Sequence, residues 1–188
     1  MDAFFQALAK RWTHPTKITV TGAWAAAAWD VHRPTQDIDC EVGGLSNEQL
    51  ADFDRAADAA GKEAGILLQY STDIDRWSQI TMLDYRESAQ PWKRFGSINI
   101  YVLDPLHWSI GKIGRGINKD IDDLVNVFKR VQPDPAAVAM IWRKALEASP
   151  RSSQLWLTKQ QALGFFRQHG RKIWGEQFSL KRVEQILK

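Results

Sequence analysis

Residues 18–42, ITVTGAWAAAAWDVHRPTQDIDCEV, constrain the fold more than any other part of the chain. A β-branched run ends at Gly22, an alanine-rich helical segment follows to about residue 30, RPTQ interrupts it, and a second β-prone run starts at Asp37. Side chains i and i+2 of a strand share a face, so Asp37 and Asp39 converge on one spot. Two such carboxylates repel each other unless a cation sits between them. Gly22, without a Cβ, lets the backbone approach a phosphate closely, and the helix after it offers free N–H groups to an anion. Metal on one side and phosphate on the other is the chemistry of nucleotide handling. The structural alternatives are a solvent-facing strand for the two acids and an ordinary strand-to-helix turn for Gly22.

Around this segment the pattern is mixed and then uniform. Residues 2–12 read as a helix with Phe4, Phe5, Leu8 and Trp12 on one face. Residues 13–16 read as a turn and 17–21 as a buried strand. Ser46-Asn47-Glu48-Gln49 resembles a capping box opening a helix to about residue 62. Runs at 65–70, 77–83 and 97–103 read as further strands, with PWKRFG (91–96) as a turn. After Asp104-Pro105 all segments read as helical, about 105–114, 118–131, 134–148, 152–169 and 179–187, with breaks at glycines and prolines. The expected class is therefore α+β: a small mixed sheet with helices over residues 1–103, then an all-helical C-terminal region over 104–188 packed on that core.

Charge follows the same division. Residues 140–188 hold ten Lys or Arg against three Asp or Glu, whereas the preceding 139 residues hold fifteen against nineteen. A basic tail of this kind suits an acidic partner, with nucleic acid the leading candidate, or else a solvated helical face. Trp142, Trp156 and Trp174 lie in this tail, either as core residues or as stacking platforms for bases. The single Cys40 excludes an internal disulfide framework and a cysteine-based zinc site. The four histidines show no metal-ligand spacing. Residues 1–12 lack the apolar core of a signal peptide, and no apolar run reaches the ~20 residues that span a bilayer. The expectation is a soluble, cytoplasmic protein with no membrane partner.

The order Gly22-Ala23, thirteen intervening residues, and then Asp37-Ile38-Asp39 resembles the nucleotidyltransferase superfamily of polymerase β. The segment Arg33-Pro34-Thr35-Gln36-Asp37-Ile38-Asp39 is similar to the minimal bacterial branch that includes AbiEii-type toxins of toxin–antitoxin systems. LDPLHWSIGKIGRGINKDIDDL extends the likeness, placing Lys112, Arg115, Lys119, Asp120 and Asp123 in the order typical of that branch, so that it covers about residues 17–131. Two positions depart from the pattern. Ala23 stands where Gly or Ser is usual, removing a hydroxyl that would reach the triphosphate. The strand 97–103 lacks the third carboxylate of the superfamily and offers only Asn99 and Tyr101 there. Asp84, at the end of the expected strand 77–83, is the best substitute, with Asp73 and Asp75 behind it.

The resemblance implies an enzyme that moves a nucleoside monophosphate from a nucleoside triphosphate to an RNA such as tRNA, or to a protein, and a toxin role under a partner antitoxin. Asp37 and Asp39 would hold Mg²⁺ or Mn²⁺ as catalytic carboxylates, with Asp84 as the third. Gly22, Ala23, Arg33 and Lys112 would bind the substrate. Arg33 fits equally well as a counter-ion to Asp37 and Asp39. Asp120 and Asp123 fit equally well as acids of a helix first turn. The alternative function is a catalytically silent scaffold that binds nucleic acid or a protein through the basic tail.

Overall fold

The computed structural model describes residues 1–188 except for the side chains of Arg76 and Trp77. The chain is α+β: a five-stranded mixed sheet accompanies helices, and the C-terminal region is helical. It divides into two compact units. The first comprises residues 1–28, 32–74 and 89–103; the second comprises 29–31, 75–88 and 104–188. The change near residue 103 thus coincides with the change in pattern. Two short segments, 29–31 and 75–88, belong with the helical unit instead of their sequence neighbours.

In the first unit, α1 (Asp2–Ala9) leads to β1 (Thr16–Val20), α2 (Gly22–Ala25) and then β2 (Asp37–Gly43). Next come α3 (Asn47–Ala64) and β3 (Leu67–Ser71). The order across the sheet is completed later in the chain by β4 and β5, whose ranges are Gln90–Phe95 and Ile98–Val102; between β3 and β4 lies the short α4 (Tyr85–Ser88) of the second unit. Strand order is β3-β2-β1-β5-β4, with β1 antiparallel to β2 and parallel to β5. One face carries Ile18, Val20, Ile38, Cys40, Ile98 and Ile100, all at most 1% exposed. Against it lie α1 and α3, through Phe5 stacked on Phe95 (5.7 Å between ring centroids) and Phe53 edge-on to Tyr70 (5.3 Å). The capping box of α3 is formed: the Ser46 hydroxyl accepts from Gln49 N and the Gln49 side chain accepts from Ser46 N. The period-2 alternation leaves Lys17, Thr19, Asp37, Asp39, Glu41, Asn99 and Tyr101 on the opposite, polar face.

Two expectations for the middle of the chain are corrected. Residues 77–83 form no strand: a 3₁₀ turn ends at Trp77, and the segment after it is irregular. Its backbone donors are taken by side chains instead of a ladder, Thr81 N by Ser149 Oγ (2.9 Å) and Met82 N by Asp75 Oδ1 (2.5 Å). Ile80 and Met82, which made the run look like a strand, are buried within the second unit. Conversely, PWKRFG is not a turn but most of β4. Its proline is tolerated because β4 is an edge strand whose register shifts between Pro91 and Lys93, and the turn itself falls at Gly96 (φ 57°).

The second unit contains α5 (Pro105–Arg115), α6 (Asn118–Val131), α7 (Pro135–Ala148), α8 (Ser153–Trp174) and α9 (Leu180–Leu187). The aromatic cluster of Phe128, Trp142, Phe165, Phe166 and Trp174 fills its core. Helix α8 runs through Gly170, where a break was expected, and stops at Gly175. The Gly170 position serves packing: a Cβ there would collide with the Phe178 ring.

The same unit holds an ion cluster. Lys112, 3% exposed, places Nζ 2.6 Å from Asp123 Oδ2 and 3.1 Å from Asp120 Oδ1. Arg115 adds Nε to Asp120 Oδ2 at 2.6 Å. Burial works to raise the Asp120 pKa, but the bonds and charges of Arg115 and Lys112 outweigh it and hold the carboxyl below its ordinary value. Asp104, capping α5 through Leu106 N and His107 N, is likewise held low, because His107 outweighs the effect of burial. Both carboxyls contribute stability that is present above their unfolded pKa and lost as pH falls through their folded values. The urea midpoint should therefore fall as pH drops below about 4. Lys112→Met, leaving two buried acids short of a cation, should cost about 3–5 kcal/mol in equilibrium denaturation. An unchanged midpoint would show that the cluster does not hold α5 to α6.

Candidate functional site

The acids are placed by the end of β1. Thr21 N donates to Asp39 O at 2.8 Å, which carries the β1–β2 pairing to the point where the chain turns. Gly22 then adopts φ 60°, a left-handed backbone that a residue with a Cβ enters at a cost of about 1–2 kcal/mol. A Cβ at this position would overlap Asp39 Oδ2 and lie 3.0 Å from its Cγ. The Asp39 carboxylate therefore rests on the bare Cα of Gly22. The expected helix after it is one α turn, Gly22–Ala25, continued as a 3₁₀ turn over Ala26–Trp29. So short a helix has little macrodipole, and the contribution of this corner lies in close approach more than in helix charge.

Asp37 and Asp39 share the polar face of β2 and are both half-buried. The Thr35 hydroxyl donates to Asp37 Oδ1. This contact gives the threonine of the Arg33–Asp39 segment a role that the sequence did not reveal. Arg33, also half-buried, donates from Nη1 to Pro34 O at 3.4 Å. Glu41 continues the row at i+4, and the same period-2 count that paired Asp37 with Asp39 would have found it. Its carboxylate accepts from Ile74 N at 3.2 Å and is 6% exposed, so it secures the chain after β3. Cys40 points to the apolar face. Burial, followed by the charges of Asp39 and Glu41, raises its thiol pKa well above the ordinary value.

The fold thus brings Gly22, Asp37 and Asp39 together at one corner of the first unit, with Ala23 half-buried beside Gly22 in α2 and Arg33 in the loop before β2. Lys112 belongs to the second unit, where its ammonium is engaged by Asp120 and Asp123. Asp84 also belongs to the second unit. The strand meant to carry it does not form; it is exposed, and its carbonyl accepts from Glu87 N at the start of α4. Asp75 accepts from Met82 N, and Asp73 O accepts from Ser71 Oγ. On β5, Asn99 and Tyr101 pair with Lys17 and Thr19, and the Lys17 ammonium lies 4.4 Å from the Tyr101 ring centroid.

Among the described residues, no group of three or more His, Cys, Asp or Glu is arranged to hold a metal unaided. The Asp37–Asp39 pair supplies hard oxygen donors, however, and Mg²⁺ is commonly held by one or two carboxylates with substrate phosphates and water completing the shell. The donor chemistry, with the Cβ-free surface of Gly22 against one carboxylate, fits such an ion shared with a nucleotide. Among the described residues no helix is long and apolar enough to cross a membrane. No protein-family model, curated protein or solved structure matches the chain.

Gly22→Ala should combine backbone strain with displacement of Asp39, lowering the melting temperature and any divalent-cation affinity together. Thr35→Val should weaken cation affinity while leaving the fold intact, since a single half-buried hydrogen bond is worth about 1 kcal/mol. Isothermal titration with Mn²⁺ and thermal melts read both. Equal cation affinity in wild type and Gly22→Ala would remove the Gly22–Asp39 contact from the site.

Proposed function

We propose that the chain is a divalent-metal-dependent nucleotidyltransferase that moves a nucleoside monophosphate from a nucleoside triphosphate to an acceptor hydroxyl. The observation that carries this reading is the contact between Gly22 and the Asp39 carboxylate, with Asp37 on the same strand face. A solvated polar strand has no need of a left-handed glycine pressed against one of its acids.

Bound at Asp37 and Asp39, Mg²⁺ or Mn²⁺ would neutralise charge on the triphosphate and at the phosphorus under attack. The protein's part is positioning. Asp37 is oriented by the Thr35 hydroxyl and Asp39 by the surface of Gly22. Gly22 and Ala23 present backbone to the β- and γ-phosphates without a long side chain in the way. Arg33 adds positive charge at the rim. The acceptor hydroxyl, releasing its proton to solvent, bonds to the α-phosphorus as the bond to the bridging oxygen breaks and pyrophosphate leaves. Lys112 is assigned to the internal ion cluster, and Asp84 is left outside the metal site. An RNA or protein acceptor and a controlling antitoxin enter this reading through the family resemblance alone.

Incubation with Mg²⁺ and each α-phosphate-labelled nucleoside triphosphate, with and without total RNA, should transfer label to RNA or protein. Asp37→Ala, Asp39→Ala and the double variant should each reduce transfer at least a hundredfold and by similar factors, because the two acids serve one ion. The reading is lost if the double variant keeps both Mg²⁺-dependent nucleotide binding and transfer.

A further inference from the structure

We propose that a cleft in the helical unit, formed by the end of α7, the start of α8 and the end of α9, binds single-stranded nucleic acid, with Trp156 as a base-stacking platform. The inference rests on the second unit alone and stands apart from the chemistry at Asp37 and Asp39.

The tryptophans of the basic region divide sharply. Trp142 is fully buried and donates from Nε1 to Ser109 Oγ at 2.8 Å; Trp174 is 4% exposed and donates to Pro133 O at 2.7 Å. Both are core. Trp156 is 62% exposed, its neighbour Leu157 is 46% exposed, and Trp156 lines a cavity of about 350 Å³ with Leu155 and Leu187. Ser152, capping α8 through Leu155 N at 3.1 Å, fixes the turn of helix that carries this indole. Folding leaves the indole in water, where a large apolar ring is a liability unless something covers it.

The lining is cationic. Arg143, Arg151 and Lys159 border the cavity, and among the described residues that line it Glu147 is the acid, already bonded by Arg143 Nε at 2.6 Å. Lys159 Nζ lies 3.2 Å from Lys188 O, which holds the ammonium at the rim with donors to spare. Positive charge beside an exposed indole matches a ligand that alternates anions with flat rings. That is the repeat of a single strand, whose phosphates meet cations while its bases stack on aromatic faces. A cavity of this size lies at the lower end of the range for ligand pockets. It accepts a base or two, whereas an acidic amphipathic helix would need a longer groove with several anchor points.

The test is fluorescence anisotropy with labelled oligouridylate and its deoxy counterpart, each about a dozen nucleotides long, alongside inorganic polyphosphate as a base-free competitor. Wild type should bind the oligonucleotides with an affinity that falls steeply with salt. Trp156→Ala should weaken binding about tenfold, and Trp156→Phe should restore most of it. Arg151→Glu with Lys159→Glu should lower affinity and flatten the salt dependence. Polyphosphate should compete poorly at equal charge. Tighter binding of the ribose strand, or equal binding of both, fits the proposal and separates RNA from a generic single strand. The Asp37→Ala, Asp39→Ala double variant should bind as wild type does, so that loss of transfer and loss of strand binding fail separately. The proposal is overturned if no oligonucleotide binds at low salt, if Trp156→Ala binds like wild type, or if polyphosphate displaces the strand as readily as an unlabelled oligonucleotide. Displacement by an acidic leucine-rich peptide at lower concentration than the oligonucleotide would overturn it too, in favour of a protein partner.

Discussion

Asp39 lies where a side chain at residue 22 would otherwise have to be, and the corner of the sheet is built around that exclusion. The β1–β2 pairing sets the height of Asp39, and the hydrogen bond from Thr21 to its carbonyl closes the ladder. The left-handed turn at Gly22 then carries the chain into α2 directly over the carboxylate. None of these features is useful without the others. A different register would turn both acids into the apolar layer of Ile38, Cys40 and Val42, because a one-residue slip inverts every side chain of a strand. That layer, held by α1 and α3, is what anchors the geometry of the polar face.

Much of this was legible in the chain because it is local. Gly22, the break at 33–36 and the Asp37–Asp39 spacing are separated by a few residues, and strand periodicity alone places the two acids together. The capping box at Ser46 and the helices after Pro105 carry their own start and stop signals. The failures are nonlocal. The run 77–83 has the composition of a strand, yet Ser149, 68 residues away from Thr81, and Asp75 take its amides. In PWKRFG the proline pointed to a turn, and only the edge position of β4 and its shifted register make it a strand. The strand expected to end at Asp84 is the one that does not form. Lys112 looked like an isolated cation on an apolar helix because its partners lie one helix further on, at Asp120 and Asp123.

Charge is used in two ways. In the ion cluster of α5 and α6, cations and acids are buried together, and their mutual attraction offsets the loss of water. Along α7 and α8 the cations stay at the surface with few acids to match them. Net charge by itself does not separate these uses. Burial does: Lys112 is sealed in, whereas Arg143 remains half open to solvent beside an uncovered indole.

The direction in which Cys40 points has a consequence for measurement. Its thiol sits on the strand that carries both acids, on the face away from them, fully buried and resistant to ionisation. A thiol reagent can reach it only when β2 separates from its neighbours. Because the chain has one cysteine, its labelling by a reagent that outpaces reclosing becomes a clock for the opening of this strand, read without an engineered reporter. Anything that clamps the carboxylates from the polar side slows that clock from across the sheet, so occupancy of the corner can be followed without turnover.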